Sequence, residues 1–546
     1  MALFREIVGK GRAWLPLIAV CSIIGTGVTL ALPAVLGAAI DTIVLGGNTI
    51  RLLILAAGLI ALAVLTDIVN AFASTACVAG TTAWLRTRLL GHLLAVGPQR
   101  TREFPTGDLV NRVSGNSVDA AQAGTSVVVT VIAVLPPLGS LVLLALIDIW
   151  VALAFLLGVG LVALVLWAFT RHTTAVAADY QRVQGNIAGR LAEALQGIRT
   201  IAAARTVKQE EKRILQDMPS LSEHGNQMWK ALARSSAQAA VVGPVVLVAV
   251  LAVGGLQLAN GQLTAGELFA ASRYAVLGAG LGALTGVLGS LSRARAGMGR
   301  VAEVLAQPIA AYGSQGLSST SDGELEFRNV SVDGLLHDID LTLPGGACIA
   351  IVGRSGSGKS VLAEVAARLR DPDEGAVLLD GIPLTELTHD ELRRAIGCAF
   401  ERPHLVGATV GDAIGLGRDP ISVGRASQAV QAHSFVIRLP MGYQTPLAET
   451  PMSGGERQRL GLARAWHAER VLVLDDATSS LDMVTEMKIG QAFLADSGKR
   501  TRLVITHRVP TAAKADLVVW LDDGHVRAVG PHARLWCDPD YRAVLQ

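Results

Sequence analysis

The segment "CIAIVGRSGSGKSVLAEVAARL", Cys348 to Leu369, decides the fold of the C-terminal half. Its apolar start reads as a buried strand, its middle as a glycine-rich turn and its end as an amphipathic helix. The turn has the spacing G-x-x-x-x-G-K-S, from Gly353 to Ser360. A strand running into this turn and then a helix is the context a phosphate-binding loop needs. Backbone N–H groups along Gly353, Arg354, Ser355, Gly356, Ser357 and Gly358 can curl around phosphate oxygens, and the helix N-terminus adds its positive dipole end. Lys359 then reaches the terminal phosphates, and Ser360 binds Mg²⁺. A glycine-rich turn of no function is the bland alternative; the coincidence of strand, motif and helix weighs against it.

A second apolar strand, in "VLVLDDATSSLD" (Val471 to Asp482), ends on two acids. Acids at the carboxyl end of a strand stand where open α/β sheets bind ligands. Asp475 fits the acid that helps position Mg²⁺. Asp476 needs its own explanation, because its side chain reaches one methylene less far than glutamate.

Outside this domain the composition changes. The chain has 546 residues, 51% hydrophobic and only 17% charged, and nearly all long apolar runs fall in the first ~300. A bilayer-spanning helix needs about 20 apolar residues. Six segments qualify: 14–40, 52–79, 123–147, 149–170, 237–259 and 267–290. Arg5, Lys10 and Arg12 precede the first, which is too long for a cleaved signal and reads as a signal anchor. Arg86, Arg88, Arg100, Arg102 and Arg112 lie between spans two and three, and a longer basic series, from Arg171 to Arg213, lies between spans four and five. The other three connections hold one positive residue, Arg51. The positive-inside rule therefore puts both termini and two long excursions in the cytoplasm. The second excursion, 173–213, is rich in helix formers and is expected to extend span four as a lever. Pro33, Pro136, Pro137 and Pro244 are expected to bend their spans. Gly278, Gly282 and Gly286 should permit close helix approach, and Asp67 and Asn70 should face the bundle interior. Residues 308–322 are small and polar and read as a linker.

A net charge of +2 and the lack of a basic stripe argue against nucleic acid as a partner. Five cysteines without a C-x-x-C pair argue against zinc or a disulfide framework.

"MSGGERQRLGLARA", Met452 to Ala465, narrows the function. With the loop at 353–360 upstream and "LDDATSSLD" downstream, it resembles the signature segment of the ATP-binding cassette family. The resemblance covers the whole chain: an all-α membrane domain of six transmembrane helices (1–307), a linker (308–322) and an α/β P-loop NTPase domain (323–546). It implies the exporter-fold half-transporter, in which two chains make one transporter with ATP and Mg²⁺ as cofactors. It further implies that Ser453, Gly454, Gly455 and Glu456 meet the γ-phosphate of ATP bound to the partner chain. His507, in "VITHRV", matches the switch histidine, and Ser480, Leu481 and Asp482 match the loop crossing between the two sites. Residues 106–120 and 198–209 resemble the coupling segments. The run "TPLAETPMSGGERQRLGLARAW" is similar to half-transporters associated with bacterial peptide natural products.

Three departures from the family pattern bear on catalysis. Asp476 replaces the catalytic glutamate, and general-base work depends on reach. Glu401, in "GCAFERPHL", stands where a glutamine contacts Mg²⁺ and the attacking water. Val332, Asp333 and Gly334 stand where an aromatic residue stacks on adenine. The signature segment is intact apart from Glu456 in place of glutamine. This pattern leads to the expectation of a heterodimer: a weakened site on this chain's own P-loop, and a competent one completed by its signature. The expected activity is ATP-driven export of a hydrophobic or amphipathic cargo (lipid, drug or peptide) across a bacterial plasma membrane. A homodimer tolerant of Asp476, an importer of the same fold, and a nucleotide-gated regulatory subunit remain alternatives.

Overall fold

The computed structural model describes residues 2–278, 282–318, 322–495 and 500–545. Packing divides the chain into two compact units: Met1–His92 with Pro105–Gln307, and Leu93–Phe104 with Pro308–Gln546.

The first unit contains helices and no strands among its described residues. Among the described residues, three runs are long and apolar enough to cross a membrane: Leu15–Val44, Ile50–Val96 and Thr106–Ile147. The third is interrupted by a π-turn at Arg112–Asn116 and by a break before Leu135–Ile147. Pro136 and Pro137 sit in the first turn of that last helix, so they start a helix rather than bend one. Pro33 and Pro244 do lie inside helices. The fourth expected span opens a continuous helix, Ile149–Gln196, and the fifth closes the helix Met218–Ala259. At 1.5 Å per residue the former is about 70 Å long, more than twice a hydrocarbon core. Side chains of residues 161–179 lie outside the described residues, as do residues 279–281 of the sixth expected span.

Small residues set the closest approaches. A Cβ on Gly37 would come within 2.5 Å of the Gly266 carbonyl, and one on Gly278 within 2.2 Å of the Phe155 ring. Gly286 has open space, and the surroundings of Gly282 lie outside the described residues. Asp41 caps the helix Ala265–Gly278: its carboxylate accepts from Gly266 N and Thr264 Oγ1, both at 2.7 Å. Asn70 is half-buried with an unpartnered Oδ1, whereas Asp67 is exposed on this single chain.

Among its described residues the second unit holds two sheets. β1 (Leu325–Val332), β2 (Leu336–Leu343), β4 (Glu374–Leu379) and β5 (Ile382–Pro383) form one, in the order β2-β1-β4-β5, all antiparallel. β3 (Cys348–Gly353), β6 (Ile396–Phe400), β7 (Val471–Asp475), β8 (Thr501–Ile505), β9 (Leu517–Asp522) and β10 (His525–Gly530) form the other. Its order is β10-β9-β3-β8-β7-β6, parallel except for the edge strand β10. Ile349 to Val352 of β3 are fully buried, which is why that strand reads as an unbroken apolar run.

Residues 308–318 are bound to this unit rather than free. Gly313 N donates to Leu387 O at 3.1 Å and Gln315 N to Glu386 O at 2.9 Å. The guanidinium of Arg368 lies 4.5 Å from the centre of the Tyr312 ring and bonds Ala311 O. Composition made this segment look like a loose tether, but a strand-like bridge and a cation–π contact hold it down. Leu93–Phe104 also belongs to this unit, through Arg102 to Glu364 (2.8 Å) and Asp371 N to Gln99 Oε1 (3.2 Å).

Candidate functional site

The parallel sheet aligns the carboxyl ends of four strands. β3 delivers Gly353, β8 delivers Thr506 and His507, β7 delivers Asp475 and Asp476, and β6 delivers Glu401. Ile505 is in register with both Ile351 and Asp475, and Phe400 with Asp475, so the four ends are level.

The glycine-rich turn requires its glycines. Gly358 has φ +93°, and a Cβ there would also come within 2.7 Å of Leu336 Cδ2. The helix Lys359–Ala366 begins directly after it. Lys359 is buried, and its Nζ folds back on Gly353 O (2.8 Å) and Arg354 O (2.6 Å). Burial pushes its pKa down, while Asp476 and Asp475 oppose that by favouring the charged form. Ser357 Oγ is buried without a hydrogen-bond partner, the kind of orphan that a phosphate oxygen would satisfy.

Ser360 Oγ donates to Asp475 Oδ1 at 3.2 Å. A hydroxyl beside a carboxylate is the hard-oxygen donor set that suits Mg²⁺, with water and phosphate completing the shell. Among the described residues no cluster of three or more His, Cys, Asp or Glu is placed to hold a metal without such help. Burial raises the Asp475 carboxyl, partly offset by the Ser360 bond. Asp476 is raised by burial too, against the pull of His507 and Lys359. His507 Nε2 stands 3.6 Å from Asp476 Oδ2. The backbone of Asp476 is left-handed, φ +46°. Aspartate is among the few non-glycine residues that populate this region readily. Glu401 follows β6, and its negative charge adds to the upward push on both aspartates.

Ser453, Gly454, Gly455 and Glu456 form the start of the helix Gly454–Ala465. Ser453 and Glu456 make a capping box: Glu456 N donates to Ser453 Oγ (3.2 Å), and Ser453 N donates to Glu456 Oε2 (2.9 Å). The Ser453 hydroxyl donates to the same Oε2 at 2.9 Å. A concavity opens before this helix end, lined by Ser453, Gly454, Gly455, Arg459, Ser480 and Asp482. A Cβ on Gly455 would approach Ser480 O to 3.0 Å, so the 480–482 loop packs directly on the signature glycine. Where an aromatic residue was sought, β1 ends at Val332 and β2 starts at Leu336. Only Asp333, Gly334 and Leu335 fill the turn, and Asp333 N is tied to Asp373.

The family description "ABC transporter transmembrane region" matches residues 15–278, and "ABC transporter" matches 336–479. The chain is 44% identical over 543 residues to the ABC transporter ATP-binding protein RamA of Streptomyces coelicolor, covering 98% of this chain and 85% of that one. The chain belongs to the ATP-binding cassette transporter family.

It is thus an ATP-hydrolysing transporter with fused membrane and cassette domains. The ATP-dependent lipid A-core flippase of Salmonella typhimurium is 27% identical over 466 residues, 83% of this chain and 80% of that one. The structure of a bacterial Atm1-family ABC exporter with ATP bound has the same fold, with a TM-score of 0.79 over 98% of this chain and 97% of that one, at 24% identity.

The cassette also contains a polar junction that the motifs did not reveal. Gln458 is almost completely buried. Its Nε2 donates to Glu401 O and Ser479 Oγ, both at 2.8 Å, and its Oε1 accepts from Ser480 N at 2.9 Å. One side chain thus ties the Glu401 loop, the signature helix and the 480–482 loop together. Arg508 pairs with Glu486 and reaches Ser479 O at 3.2 Å. The S-x-x-E spacing of Ser453 and Glu456 was a readable capping signal. Gln458, amid arginines, carried no such signal.

Proposed function

We propose that this chain is one half of an unlike pair that exports a hydrophobic or amphipathic cargo by alternating access. Its own P-loop site is slow, and its signature segment completes the partner's faster site. Both termini and the cassette face the cytoplasm of a bacterial plasma membrane, as the charge bias of the excursions favours.

At this chain's own site Lys359 exchanges its bonds to the Gly353 and Arg354 carbonyls for phosphate oxygens. Ser360, Asp475 and Glu401 would hold Mg²⁺, which when bound offsets phosphate charge. Asp476 accepts the proton of the attacking water, and His507 steadies the γ-phosphate. The observation that carries the asymmetric reading is Asp476. Its carboxylate is one methylene shorter than the family's base and already faces His507 at 3.6 Å. A shift of about 1 Å in a catalytic group can cost on the order of 10²-fold in rate. Ser453, Gly454 and Gly455 are intact and open to a concavity, which supports a working signature for the other site. The apolar helices suit a lipid, drug or peptide cargo, and a relative named as a lipid A-core flippase is consistent with the first.

The test is a co-purified pair in which only the partner's catalytic glutamate is changed to glutamine. ATPase activity should fall to a few per cent; activity near wild type would refute the asymmetric site assignment. Substrate-stimulated ATPase from this chain alone, abolished by Asp476→Ala, would instead establish a homodimer.

A further inference from the structure

The Ser453 hydroxyl has one proton to give, and in this structure it gives it to Glu456. The carboxylate takes the Ser453 N–H and O–H together, each at 2.9 Å. Those donors lie at the N-terminus of the helix Gly454–Ala465, whose first N–H groups have no intrahelical partner. They line the same concavity as Arg459, whose Nη1 donates to Gln431 O at 2.7 Å and whose guanidinium lies 4.7 Å from the centre of the Phe435 ring. Helix end and hydroxyl together favour an anion, and the Arg459 charge nearby adds to that preference. Glu456 is therefore an anion of the chain itself, bound at the mouth of a concavity that favours one. Its carboxyl is held below the usual range, first by the Ser453 backbone bond, with Arg459 and Arg438 adding to the effect. It is charged at neutral pH.

We propose that Glu456 is a built-in competitor for the terminal phosphate of the nucleoside triphosphate that the signature segment receives from the partner's P-loop. In the free chain its carboxylate occupies the Ser453 hydroxyl. On closure the hydroxyl turns to the incoming phosphate, and the displaced carboxylate is left facing a like charge. An amide at 456 accepts the same capping bonds without the charge, so it gives up the hydroxyl more easily. This rests on the reading that the signature completes the partner's site. It goes further by making position 456 a regulator of how strongly triphosphate closes that site.

The experiment uses the full-length chain with its partner in lipid nanodiscs, and MgATP as the probe. Glu456→Gln should lower the ATP concentration for half-maximal ATPase activity about fivefold, the difference between a charged and a neutral acceptor for one hydrogen bond. The same change in a Ser453→Ala background should give no gain, because the contested hydroxyl is gone. An unchanged or raised half-saturating concentration with E456Q overturns the proposal, and so does an equal gain with and without the hydroxyl. If E456Q fails to fold, Glu456→Ala removes the same charge and should move affinity in the same direction; no gain there is equally fatal. Gly455→Asp tests the underlying reading separately. If it leaves ATPase activity intact, the signature completes no site; if it abolishes activity while E456Q changes nothing, only the competitor proposal falls.

Discussion

Gln458→Leu should uncouple the catalytic loops while leaving the fold standing. Leucine has nearly the same volume, so the buried position keeps its packing and forms no large cavity. Three hydrogen bonds are lost: to Glu401 O, to Ser479 Oγ and from Ser480 N. Each is worth about 0.5–1.5 kcal/mol net. Ser479 and Ser480 are exposed and can turn to water, which places the total in the lower half of the summed range, at about 2–3 kcal/mol. The loss is local, because the bonds join loops rather than strands. The Ser480 amide, which donates to Gln458 Oε1, should exchange with deuterium roughly 30- to 150-fold faster. Core amides of β3 and β8 should keep their protection. A loop displaced by about 1 Å at a composite site should reduce ATPase activity on the order of 10²-fold. Unaltered exchange at Ser480 together with ATPase within twofold of wild type would show that Gln458 does not hold these loops.

Other positions give independent expectations. Asp476→Glu in this chain, paired with a partner whose own base is disabled, should raise residual ATPase turnover by about 10- to 100-fold, and no rise would remove reach as the cause. Gly358→Ala forces an L-residue to φ +93° against Leu336 and should abolish binding of a fluorescent ATP analogue; retained affinity would contradict the required turn. Asp476→Asn should raise the thermal stability of the nucleotide-free chain near pH 7. Burial raises the folded-state pKa of Asp476, so its ionised form costs stability once the pH exceeds both the unfolded and folded values. The stability gap to D476N should therefore close as pH falls toward the ordinary aspartate range near 4, and a gap that widens in acid would reverse the sign.

The strand–turn–helix around Lys359 was legible because spacing and glycines leave the backbone few choices. Asp475 and Asp476 were legible as acids at the carboxyl end of a strand, whereas His507 and Glu401 were placed only by the family resemblance; the parallel sheet brings all four to one edge. Helices were legible wherever apolar length decided them, as at Leu15–Val44 and Ile50–Val96. Pro136 and Pro137 do coincide with an interruption of their span, but as the start of a new helix after a break; a proline kink and a proline start look alike until the helix boundary is known. The strap at 308–318 was hidden because its contacts are mostly backbone bonds to the Glu386–Thr388 segment, and composition does not encode these. Gln458 was hidden for a related reason: a polar residue in an arginine-rich helix reads as solvated, and only the packed loops show that it points inward. Asp476 gained a second meaning from the backbone. A residue at φ +46° tolerates aspartate well, so the change that shortens the base also suits the local turn.

The strap has a practical consequence for dissecting the protein. Anyone expressing the ATPase half alone from the compositional boundary at residue 323 would cut away Tyr312 and the backbone of Ala311. The buried guanidinium of Arg368 would lose both its ring and one of its carbonyl acceptors. A fragment starting at Pro308 keeps them. Differences between the two fragments in solubility or nucleotide affinity would then report on the fifteen missing residues, 308–322, rather than on the ATPase fold itself.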